Sequence, residues 1–115
     1  MGANSEASEL AKLFMALADP TRLRLLNLMN GREVCVCEFV EILSLPQPKI
    51  SRHLAYMRRA RIVSARREGK WMYYSILKPK DQAAACILDC ALGKLSEAKA
   101  LKADLRCIGQ SCCEP

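Results

Sequence analysis

From Glu6 to Leu17 the apolar residues Leu10, Leu13, Phe14 and Leu17 recur three and four apart, with polar residues between them. That is the period of one helical face, so the segment predicts an amphipathic helix. Asp19-Pro20 ends it and opens the next, because Asp suits an N-cap and Pro the first helical position. Leu23, Leu25, Leu26 and Leu28 follow, until Asn30-Gly31 closes a second helix. Phe39, Val40, Ile42 and Leu43 mark a short third helix over Cys37–Leu43. After the breaker Leu45-Pro46-Gln47-Pro48, the residues Ile50, Leu54 and Met57 fall at i, i+4 and i+7, predicting a fourth helix to about Ala60.

The period then changes. Ile62–Arg67 and Trp71–Ile76 are β-prone segments on either side of Glu68-Gly69-Lys70, the pattern of a β-hairpin in which Trp71, Tyr73 and Tyr74 serve sheet packing. Beyond Pro79, Asp81 to about Asp104 carries Ile87, Leu88, Leu92, Leu95 and Leu101 at helical spacing and predicts one long fifth helix. The expected fold is mostly α with a small β-hairpin, in the α-α-α-α-β-β-α order of a winged helix-turn-helix. Residues 1–105 would form the DNA-binding and dimerisation domain, and 106–115 a cysteine-rich tail without periodicity.

With 115 residues there is room for one domain and not for a separate catalytic one. So small a chain leaves much surface exposed, and its terminal helices would gain from burial against a second copy, so a homodimer is expected. MGANSEASEL lacks the layout of a secretion signal, and no apolar run approaches the ~18–20 residues that span a bilayer. A cytoplasmic protein with no membrane partner is expected.

Charge sharpens the reading. The net charge is +6, and eight basic residues lie between Lys49 and Lys70 against the single acid Glu68, whereas Glu33–Pro48 has three acids and no base. Such a local excess favours a polyanionic partner. With Ile50, Leu54 and Met57 turned inward, Gln47, Lys49, Ser51, Arg52 and His53 lie on or beside the outer face of the second helix of the pair, the one that enters the major groove. Gln reads adenine, Arg reads guanine, and Ser and Lys suit phosphates or base edges. Arg66, Arg67 and Lys70 would sit at the hairpin tip, placed to clamp a flanking backbone of double-stranded DNA or to enter a minor groove. Arg58, Arg59 and Arg61 suit a solvated helix end equally well, and His53 a surface position.

Seven cysteines and one histidine make a thiol-biased inventory, and an odd count in a reducing compartment does not suit structural disulfides. Thiolates select soft ions such as As(III), Sb(III), Cd(II) or Pb(II). Cys107, Cys112 and Cys113 lie within seven residues of one another, so they can converge on one ion as three ligands. Cys35 and Cys37 form a second group. Residues i and i+2 of a regular helix point about 200° apart, so this pair needs an unwound first turn to converge. Cys86 and Cys90 share a helical face and suit apolar packing. The C-x-x-C spacing and βαβ context of a redox enzyme are missing, so no enzyme is expected.

The runs ALADPTRLRLLNLM, EVCVCEFVEIL and QPKISRHLAYMRRARIVSARREGKWMYYSI resemble the arsenical-resistance repressors of the ArsR/SmtB family, from about Leu10 to Ile76. The resemblance implies a winged-helix repressor that is dimeric through its first and last helices, binds an operator of two half-sites and leaves it when an inducer binds. Cys35-Val36-Cys37 matches the family's metalloid motif, but the third cysteine usual in it falls at position 40, which is Val40 here. Vicinal cysteines after the last helix are another inducer position in the family, which favours Cys107, Cys112 and Cys113. Cadmium- and lead-sensing relatives add a cysteine from an N-terminal arm, and Met1 to Leu17 has none. As(III) or Sb(III) is therefore the expected inducer, with a Cd/Pb or a thiol redox or persulfide sensor of the same fold as alternatives.

Overall fold

The computed structural model describes residues 2–109. Its elements run α1 (Gly2–Leu17), α2 (Pro20–Met29), β1 (Val34–Cys35), α3 (Val36–Leu43), α4 (Gln47–Arg59), β2 (Val63–Glu68), β3 (Trp71–Ile76), α5 (Gln82–Glu97) and α6 (Lys99–Arg106). The helix-helix-turn and hairpin order expected from the sequence is present. Among the described residues no helix is long and apolar enough to cross a membrane.

The core forms around α2. Leu25, Leu26, Leu28 and Met29 are fully buried on it, because α4, α5, α6 and β3 all pack against this one helix. Each such side chain contributes about 2 kcal/mol relative to exposure. Ile50, Leu54 and Met57 close the core from α4, and Leu88 and Leu92 from α5. Among the residues of α1 whose side chains are described, only Leu13 and Ala16 are buried; Leu10, Phe14 and Met15 are 40%, 50% and 57% exposed.

Three features differ from the sequence expectation. First, the sheet has three strands in the order β1-β3-β2, because Val34 pairs with Tyr74 and Cys35 with Tyr73 beyond the β2–β3 hairpin. Second, the long last helix is two. Ala98 adopts an extended conformation (φ −71°, ψ 120°), so α6 turns back across α2. Asp104, 8% exposed, accepts both Nε and Nη2 of Arg24 at 2.9 and 3.0 Å, a two-pronged ion pair that fixes this direction. Third, Cys86 and Cys90 are exposed on α5 and not packed as small apolar residues in this chain.

Asp19 caps α2 as its sequence position predicts. Its carboxylate accepts the Arg22 backbone N–H at 3.0 Å, and the proline occupies the first turn. Burial alone would raise the acid's pKa. The Arg22 N–H bond and the charges of His53 and Arg22 outweigh that and hold Asp19 below the usual carboxylate range. A carboxyl whose pKa is depressed on folding stabilises above its unfolded value and loses that contribution as the pH falls through the folded one. Asp19→Ala is therefore expected to cost about 1 kcal/mol at pH 7 in urea denaturation. The difference between wild type and variant should shrink as the pH falls below about 4.

Candidate nucleic-acid interface and thiol site

The turn between α3 and α4 is made by Ser44 in the left-handed region (φ 54°) and by Pro46, which precedes the first turn of α4. This short connection sets α4 on the surface with Ile50, Leu54 and Met57 inward. Gln47, Lys49 and Arg52 are exposed along the first half of α4, and Ser51 is half-buried, with its Oγ accepting the Gln47 amide at 2.7 Å.

His53 turns the other way. Its Nδ1 lies 3.4 Å from Arg22 Nη1, and Arg22 also stacks on Tyr56 at 4.3 Å and donates to the carbonyls of Met15 and Ala16. One guanidinium thus ties the end of α1 to α4. Burial, reinforced by the nearby charges of Arg22, Lys49 and Arg52 against that of Asp19, pushes the imidazole below its ordinary pKa. His53 is half-buried and takes part in the α2–α4 contact through Arg22.

The hairpin turns through Gly69 and Lys70, with Glu68 paired to Trp71. Gly69 has φ +60°, the conformation such a two-residue turn requires at its first position and glycine adopts freely. Arg67 and Lys70 are exposed near this tip, with the Lys70 ammonium 5.2 Å from the centre of the Trp71 ring. Arg66 is engaged within the protein. It grips both oxygens of Glu33 at 2.7 and 2.9 Å, bonds Glu68 at 2.8 Å and stacks on Tyr73 at 4.8 Å. The Arg66 hydrogen bonds hold the Glu33 carboxyl below its ordinary range, and those to Glu33 and Glu68 raise the guanidinium further. Arg66 thus fastens the wing to the loop before β1.

That loop leads into the thiols. Cys35 ends β1 and stands before the first turn of α3 with φ −76° and ψ 144°, while Cys37 is inside that turn. The strand-to-helix change supplies the unwound turn that an i, i+2 pair requires, and the two sulfurs lie 3.1 Å apart. Two thiolates on one soft ion need about 3–4 Å, given metal–sulfur bonds near 2.3 Å. The pair opens into a groove of about 560 Å³ shared with Val40, Gln47, Ser51 and Lys70, so thiols, reading helix and wing tip border one space. Cys107, at the end of α6, lines a smaller cavity of about 120 Å³ with Glu38, Glu41 and Ile42 of α3. Cys112 and Cys113 lie outside the described residues. Among the described residues no three His, Cys, Asp or Glu side chains gather closely enough to hold an ion. The described part of the site thus brings two cysteine sulfurs together at the head of α3, with Val40 one turn further on.

Sequence reasoning missed Glu33, Arg22 and Glu38. Each acts through a partner more than 30 positions away, which no local spacing reveals.

A family model described as "Bacterial regulatory protein, arsR family" matches residues 19–65. The arsenical resistance operon repressor of Escherichia coli is 42% identical over 79 residues, 68% of this chain and 68% of that one. An arsenic resistance transcriptional regulator of Pseudomonas putida is 51% identical over 65 residues, 56% of this chain but only 51% of its own length. Among solved structures, reduced HlyU from Vibrio cholerae superposes with a TM-score of 0.69 at 25% identity, over 84% of this chain and 98% of that one. With its helix pair, wing and sequence match in agreement, the chain belongs to the arsR family of bacterial regulatory proteins, which are DNA-binding transcription regulators and not enzymes.

Proposed function

We propose that this protein is a metalloid-responsive repressor, which binds operator DNA as a homodimer and dissociates when cysteine thiolates capture As(III) or Sb(III). The observation that carries the reading is the 3.1 Å approach of Cys35 and Cys37 in a groove also bordered by Gln47, Ser51 and Lys70. An ion held there lies against both elements that address DNA, so its capture is felt where affinity is set. The exposed row Leu10, Phe14 and Met15 on α1 supports the homodimer, since apolar side chains on one helix face gain by burial against a second copy. A dimer presents two α4 helices to two half-sites. The cytoplasm, where both operator and reduced thiols are found, is the compartment this function requires.

In this reading Gln47, Lys49, Ser51 and Arg52 address bases and phosphates in the major groove, and Arg67 and Lys70 clamp the backbone beside it. Arg66 and His53 position these groups through Glu33 and Arg22. Arg52→Ala is expected to weaken operator binding by about 1–3 kcal/mol, a loss of roughly fivefold to 150-fold, and to relax base preference at one position. Lys70→Ala is expected to weaken all sequences alike and to lower the slope of log affinity against log salt by about 1 per protomer. Competition binding with mutated operators and a salt titration separate the two effects.

The inducer is tested by fluorescence anisotropy on a labelled operator from the protein's own promoter, with all cysteines reduced. Arsenite or antimonite is expected to return the signal to that of free DNA, and Cys37→Ser is expected to stay bound at the same concentration. Retention of DNA by the wild type under metalloid, with release on oxidation or persulfide treatment, would sink the metalloid reading in favour of thiol redox sensing.

A further inference from the structure

We propose that Cys86 and Cys90 form a second thiol site, a clip on the outer face of α5 for a soft ion that binds two sulfurs in line, the class of Cu(I) and Hg(II). The site stands apart from the metalloid reading above, since neither thiol borders the groove at the head of α3. Both cysteines are free and exposed. Leu88 and Leu92 of the same helix are buried in the core, which fixes the rotation of α5. Positions 86 and 90, one turn apart, then lie together on the side away from those leucines.

The spacing fits this class of ion. Side chains at i and i+4 of a helix have Cβ atoms about 5–6 Å apart. A linear sulfur–metal–sulfur unit spans about 4.6 Å, twice a metal–sulfur bond of about 2.3 Å. Rotation about the two Cα–Cβ bonds brings both sulfurs onto one ion while α5 stays regular over Gln82–Glu97.

The surroundings set the coordination number. Asp89, the acid next to Cys90, is turned to Lys78 at 3.4 Å. One turn before Cys86 the face carries Gln82 and Ala83, and one turn after Cys90 it carries Gly93 and Lys94. The Gln82 amide oxygen is a hard donor that soft ions pass over, and an ammonium has no lone pair to give. Among the described residues no group of three His, Cys, Asp or Glu side chains gathers around an ion. Two sulfurs alone leave the four ligands of zinc and the three of trivalent arsenic incomplete, whereas they complete a two-coordinate ion. A Cβ added at Gly93 would meet nothing within 4 Å, so the face beside Cys90 is open to an arriving ion.

Loading is a ligand exchange without electron transfer. Two S–H bonds break, two metal–sulfur bonds form, two protons leave, and the ion keeps its oxidation state. Lys78 lies two residues beyond β3, so the ion sits beside the pair that ties the exit of the wing to α5.

The test uses the reduced, full-length protein and reads the tryptic peptide 81–94, which holds Cys86 and Cys90 and no other cysteine. The protein is loaded with Hg(II) or, in a second arm, with Cu(I) buffered by bicinchoninate, and is then alkylated with N-ethylmaleimide before digestion and mass spectrometry. In the wild type both thiols are expected to be protected together. In Cys86→Ser, Cys90 is expected to hold either ion roughly 100-fold less tightly, because the second sulfur on the same ion is lost. The double variant Cys86→Ser/Cys90→Ser is expected to bind one equivalent of Hg(II) per protomer fewer than the wild type. Its circular dichroism, its metal-free operator binding and its response to arsenite are expected to be unchanged, which separates this site from the metalloid reading. Protection by one of the two ions alone supports the clip and assigns it to that ion. Alkylation of either thiol at saturating Hg(II) and Cu(I), or equal affinity in Cys86→Ser, overturns it. A deficit of half an equivalent per protomer also overturns it, since that is an ion shared between two copies.

Discussion

The pairing of Val34 and Cys35 with Tyr74 and Tyr73 is the shortest element of the fold and the one on which its organisation depends. It holds Cys35 extended, and α3 begins at the very next residue. Without that strand the helix could extend backward, and Cys35 and Cys37 would diverge by about 200° around it. The same pairing fastens the wing to the helix-turn-helix, since β3 is shared between β1 and β2. Thiol geometry and wing position are thus two consequences of one backbone contact. The two are therefore linked through β3.

Charge is divided between architecture and surface. Arg22, Arg24 and Arg66 are turned to carboxylates, carbonyls and aromatic rings of the protein itself. Arg22 joins α1 to α4, Arg24 joins α2 to α6, and Arg66 joins the wing to the loop before β1. Planar guanidinium suits this work because it bonds two partners while stacking on a ring. Lys49, Arg52, Arg67 and Lys70 remain exposed, and they lie on the two elements that face DNA in a winged helix. Within the basic run, Arg66 is the member engaged by Glu33 and Glu68 of the protein itself.

Much of this was legible in the chain. Ile50, Leu54 and Met57 gave the inward face of α4, Asp19-Pro20 the start of α2, and the period change near Ile62 the wing, because each is a local pattern imposed by a large burial difference. What was not legible depends on distance or brevity. Two residues of β1 are too few to show a period of two. The break at Ala98 is hidden because Leu92, Leu95 and Leu101 keep helical spacing through it, and the Arg24–Asp104 pair that holds α6 beyond it spans 80 positions. Ser44 and Arg61 carry positive φ at turns where glycine is the usual signal. The cysteines counted as two separate groups in sequence, and only the return of α6 to α3 puts Cys107 and Gly109 beside Glu38.

The central claim is that capture of a metalloid at the β1–α3 junction changes the wing and reading helix together. Backbone amide hydrogen exchange on the DNA-free, reduced protein, with and without arsenite, tests it most directly. The account predicts altered exchange at Val34–Cys35, at Tyr73–Tyr74 and in the first turns of α3 and α4, with the Leu88–Leu92 stretch of α5 unchanged. Arsenite-driven loss of DNA binding with unaltered exchange at β1 and β3 would contradict it.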